Sequence, residues 1–123
     1  MKLENQVVSL DLAKRLKELG VKQESLFWWN RLSDEPNGTE DWDLRNFQSD
    51  LASEVYSAFT VAELGEILPI RARSERWEKW YCTYNPHDSA NADGARIESA
   101  ITEADARAKM LTYLLENKLT TNE

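Results

Sequence analysis

The sequence predicts an α+β domain in which three or four helices pack on a small antiparallel sheet. Three observations carry this expectation. Leu12, Leu16 and Leu19 recur at helical spacing and stop at Gly20. Thr60 and Glu63 have the spacing of a capping box ahead of Val61, Leu64 and Leu68. Residues 77–84 are rich in aromatics with polar residues between them, and Asn85-Pro86 ends the run.

Taken in chain order, the first helix is expected over residues 10–19. Ser9 has the hydroxyl of an N-cap, Asp11 suits the positive helix end, and Gly20 suits the residue just past the last turn. Lys14, Arg15, Lys17 and Glu18 fall off the leucine stripe, so one face rests on a core and the other meets water. Residues 25–30 are short, apolar and aromatic, which predicts a strand. Pro36, Asn37 and Gly38 mark residues 33–43 as a mobile polar loop. Phe47, Leu51 and Val55 repeat every four residues between Leu44 and Ala58, which predicts a second helix over 44–58. The capping box starts a third helix over 61–68, closed by Pro69.

Residues 77–84 are expected to form a strand, with Trp80, Cys82 and Tyr84 on one face and Trp77 and Tyr81 on the other. Residues 85–96 read as a second mobile loop. A last helix begins near Thr102, with Asp105 completing a box-like cap, and presents Ala104, Ala108, Leu111, Leu114 and Leu115 to the core.

The length of 123 residues matches one domain, 1–123, and 41% hydrophobic residues are enough to offset the entropy of ordering. Neither a secretory signal nor a membrane span is legible, and the lone Cys82 cannot close an intrachain disulfide, so a cytoplasmic location is expected. Residues 33–66 hold nine acids against Arg45 alone, a local charge of −8 in a chain whose net charge is −7. This balance argues against duplex nucleic acid as the main partner, because such binding relies on Lys and Arg at phosphates.

Three segments, SLDLAKRLKELGVKQESLFW (9–28), YSAFTVAELGEILP (56–69) and EADARAKML (103–111), resemble a widespread group of small uncharacterised proteins of bacteriophages and bacterial genomes. The resemblance implies a phage or prophage context, in which small accessory proteins bind host proteins or ligands. It supplies no activity and no cofactor.

Catalytic and metal chemistry find few residues to use. Cys82 and His87 are the one thiol and the one imidazole, separated by Pro86, and neither has an evident oxyanion site. Zinc needs about four Cys, His or carboxylate ligands, so neither metal nor cofactor is expected. Residues 34–43 miss the spacing of a calcium loop. Residues 10–19 and 60–68 resemble the first helix of a helix-turn-helix, but no basic recognition helix follows either.

The most suggestive constellation is Arg71, Arg73, Arg76, Trp77 and Tyr81, extended by Lys79, Trp80 and Tyr84. Arginine pairs with anions and stacks on rings, while Trp and Tyr give contact area at low entropy cost. The alternative is an edge strand whose aromatics pack the core and whose arginines are solvated. The expected role is therefore binding: a host or phage protein first, a small anionic ligand or nucleotide second. Convergent arginines over a deep aromatic pocket would favour the ligand, and a flat apolar patch with a polar rim would favour the protein.

Overall fold

The computed structural model describes residues 2–34, 40–69, 72–85 and 96–119. A single 3-10 turn, Leu3–Asn5, precedes helix α1 (Leu10–Glu18). Strands β1 (Trp28–Asp34), β2 (Glu40–Arg45) and β3 (Glu54–Ser57) follow, then helix α2 (Val61–Ile67). Strands β4 (Ala72–Arg76), β5 (Trp80–Tyr84) and β6 (Arg96–Ala100) lead into helix α3 (Glu103–Glu116). The strands form two antiparallel sheets, ordered β2-β1-β3 and β4-β5-β6. The class is α+β, with the strands divided between two sheets.

The helix boundaries follow local chemistry. Gly20, at φ 89°, closes α1: its amide bonds to Lys17 O and the Val21 amide to Leu16 O, both at 3.0 Å, the paired bonds of a Schellman motif. The Thr60 hydroxyl accepts from the Glu63 amide at 3.2 Å, while the Glu63 carboxylate accepts from the Thr60 amide at 2.9 Å. Two otherwise orphaned donors of α2 are thereby satisfied. At α3, Thr102 accepts from the Asp105 amide, yet the Asp105 carboxylate goes elsewhere, to the Ser9 amide at the head of α1. Ser9 itself makes no side-chain cap.

The core is one cluster drawn from both halves of the chain. Val8, Leu16, Phe59, Leu64, Cys82, Met110, Leu111 and Leu114 are buried in it, and Trp29, Tyr56, Trp80 and Tyr84 pack against it. Helix α3 is the shared element, touching α1, α2 and all three strands of the second sheet. Its buried Ala104, Ala106 and Ala108 let neighbouring backbones approach, and each fully buried large side chain contributes about 1.5–3 kcal/mol. Arg107 closes the junction: it donates to Val61 O at 3.0 Å and to Ser74 Oγ at 3.1 Å, and pairs with Glu103 at 3.2 Å. Among the described residues, no helix is long and apolar enough to cross a membrane.

Four expectations are corrected. Residues 44–58 do not form a helix: Leu44 and Arg45 end β2, Glu54–Ser57 is β3, and Leu51 is 85% exposed. The four-residue repeat loses to strand pairing with β1 and to turn-forming residues between the strands. Ser49 accepts from the Leu51 amide, and buried Asn30 bonds to Phe47 O and the Ser49 amide. Residues 40–43, placed in a polar loop, are strand β2, whereas the Pro36-Asn37-Gly38 stretch lies outside the described residues. The strand expected at 25–30 is displaced to Trp28–Asp34, and residues 77–84 divide into a hairpin tip and β5.

Candidate functional site

The hairpin β4-β5 carries the predicted constellation, and its register decides which residues meet. Directly paired residues of an antiparallel sheet share a face. Ser74, Cys82 and Glu98 form one cross-strand row, and Arg76, Trp80 and Ala100 another. Cys82 is buried in the core, so these rows face inward, towards α3. The outward rows are Arg73, Thr83 and Ile97, then Glu75, Tyr81 and Ser99.

Trp80, Cys82 and Tyr84 therefore share the core face as the alternation predicted. Trp77 belongs to no strand. It sits in the tip, where its amide donates to Lys79 O at 2.9 Å, and its ring lines the outer cleft together with Tyr81. That cleft, of about 480 Å³, is completed by Glu75, Glu78, Thr83 and Ile97. Trp77 is 74% exposed and Ile97 59% exposed, which puts two large apolar side chains in water on one sheet face.

The two described cations, Arg73 and Arg76, do not converge. Arg73 is on the outer face, 3.7 Å from Glu75, with most of its side chain in solvent. Such an exposed pair contributes little. Arg76 is on the opposite face, at the mouth of a second cleft of about 410 Å³ lined by Phe27, Val61, Trp80, Ile101 and Glu103 among others. Arg71 lies outside the described residues. The structure thus unites Arg73, Trp77 and Tyr81 and separates Arg76 from them.

Glu75, Glu78, Thr83 and Ile97 escaped the sequence reading. The period-two alternation of Arg96-Ile97-Glu98-Ser99 was the available signal for β6, and residue 97 is its outward apolar position.

Cys82 is a free, buried thiol. Burial pushes its thiol from the ordinary 9.0 up to about 11, so it stays protonated near neutrality. His87 lies outside the described residues. Among the described residues no group of three or more His, Cys, Asp or Glu side chains is placed to hold a metal ion.

The first sheet offers a second aromatic cluster, already occupied. Lys14 Nζ lies 4.9 Å from the Trp42 ring centre and Lys17 Nζ 5.0 Å from that of Tyr56. Trp29 donates its indole N–H to Val8 O at 3.0 Å. Helix α1 covers this face, and its cations take up the rings.

No family model, curated protein or solved structure matches the chain.

Proposed function

We propose that the chain is a phage-type accessory protein that acts by binding a protein partner through the outer face of β4-β5-β6. The observation that carries this reading is the joint exposure of Trp77 and Ile97 beside Tyr81 on a sheet face that no other described element covers. A rigid indole at a hairpin tip with an aliphatic neighbour and a charged rim has the composition of an interface centre. Divergence of Arg73 and Arg76 weighs against a nucleotide held between convergent arginines on this segment.

The test compares capture of partners from host lysate by the wild-type chain, Trp77→Ala, Ile97→Asp and the control Lys22→Ala, each with a thermal melt. A partner held by wild type and control should be lost with Trp77→Ala, at a cost of about 2 kcal/mol or more for a hot-spot aromatic. Stability should move by less than about 0.5 kcal/mol in Trp77→Ala, whereas Trp80→Ala, packed against the core, should cost about 2–4 kcal/mol. Undiminished capture by both outer-face variants would overturn the reading.

A second reading is a small anionic ligand in the inner cleft, favoured by Arg76, which makes no ion pair among the described residues and stands beside the Trp80 indole. Native mass analysis of the purified chain should then show a retained small molecule that Arg76→Ala loses.

A further inference from the structure

We infer that the outer cleft receives an arginine side chain of the partner, which rests on the protein-binding reading above and names the chemistry it would recognise. The cleft brings together two ring systems, Trp77 and Tyr81, and two carboxylates, Glu75 and Glu78, over the smaller side chains Thr83 and Ile97. Aromatic faces attract cations, and a guanidinium can stack on an indole while its edge donates to carboxylates.

Both carboxylates are open to such a donor. Glu78 makes no ion pair among the described residues. Among the described residues Glu75 is held only by long contacts, 3.5 Å to the Trp77 indole nitrogen and 3.7 Å to Arg73. A shorter guanidinium contact can replace either. On the first sheet lysines from α1 lie over the aromatic faces, and among the described residues no such internal cation lies over Trp77 or Tyr81 on the second. The net charge of −7 adds long-range attraction for a basic segment. Arg73, at the rim, opposes it.

The test titrates isotope-labelled full-length chain with three blocked hexapeptides of alternating threonine and a variable residue: arginine, its neutral isostere citrulline, or glutamate. The readouts are the Trp77 indole N–H and the amides of Thr83 and Ile97. The arginine peptide should move these signals with at least about tenfold higher affinity than the citrulline peptide, a difference typical of a desolvated cation contact. The double variant Glu75→Gln and Glu78→Gln should erase that preference, and Arg73→Ala should strengthen arginine binding.

Equal binding of arginine and citrulline peptides overturns the inference, as does failure of every peptide to move Trp77. So does a response confined to the acidic first sheet around Asp41 and Asp43. In each of these cases loss of the captured partner in Trp77→Ala would still stand, so failure of the arginine inference is separable from failure of the docking face.

Discussion

The Ser9 amide donates to Asp105 Oδ1 at 2.7 Å, joining the heads of α1 and α3 across 96 residues of sequence. A carboxylate at the first turn of α3 therefore caps a different helix. It accepts from the N-cap amide, as the third-residue carboxylate of a capping box would and as Leu12 at that position cannot, and it ties the first helix to the last.

Asp105→Ala should destabilise the protein by about 1–2 kcal/mol, because it removes the acceptor of a part-buried amide at a helix start. Asp105→Asn keeps an acceptor oxygen and should recover much of the loss. Denaturant melts of both variants check this. A neutral Asp105→Ala would mean that water serves Ser9 equally well.

Gly65→Ala should destabilise the fold even though Ala is the better helix former. A Cβ at residue 65 would strike the Arg107 guanidinium, which is tied to Val61 O, Ser74 and Glu103. The helix gain of about 1 kcal/mol is outweighed by displaced charged hydrogen bonds of about 1.5–3 kcal/mol each. In an Arg107→Ala background the same substitution should stabilise instead. A double-mutant cycle in chemical denaturation measures the reversal.

Asn30→Ala should release residues 46–53. The buried Asn30 amide donates to Phe47 O at 3.1 Å and accepts from the Ser49 amide at 2.8 Å. Their loss should cost roughly 2–4 kcal/mol in total, at about 1–3 kcal/mol per orphaned group. Hydrogen exchange at Ser49 should accelerate well before global unfolding does. Unchanged protection of that amide would contradict the role assigned to Asn30.

Stability should fall at alkaline pH through Cys82. The folded thiol titrates near 11 and the unfolded one near 9, so the unfolded chain loses its proton first as pH rises. The native state binds the proton more tightly, so this contribution is intact below about pH 9 and lost progressively towards 11, amounting at most to roughly 3 kcal/mol. Cys82→Ala should flatten that part of the profile. Thiol-directed reagents should label the wild-type chain at pH 8 only at the rate at which it opens.

Features settled within a few consecutive residues were legible in the sequence. The Thr60–Glu63 box, the Gly20 terminus and the start of α3 at Thr102 each depend on hydrogen bonds spanning three to five positions, so residue identity and spacing suffice to predict them. That Trp80, Cys82 and Tyr84 share one face was equally readable, because a strand's pleat imposes it, whereas only packing showed that this face points inward.

What the tertiary structure decided is where a local pattern had a competitor. Phe47, Leu51 and Val55 carry a helical repeat, yet hydrogen bonds from β1 and Asn30, residues distant in sequence, draw that segment into a strand and an irregular link. Arg73 and Arg76 are three positions apart, and only the strand assignment of residues 72–76 puts them on opposite faces. The candidate site follows from the same logic. Its rings are four positions apart in sequence, but Ile97 reaches them only through the β5-β6 register, which is set by the burial of Cys82 and the packing of α3 rather than by any neighbour along the chain.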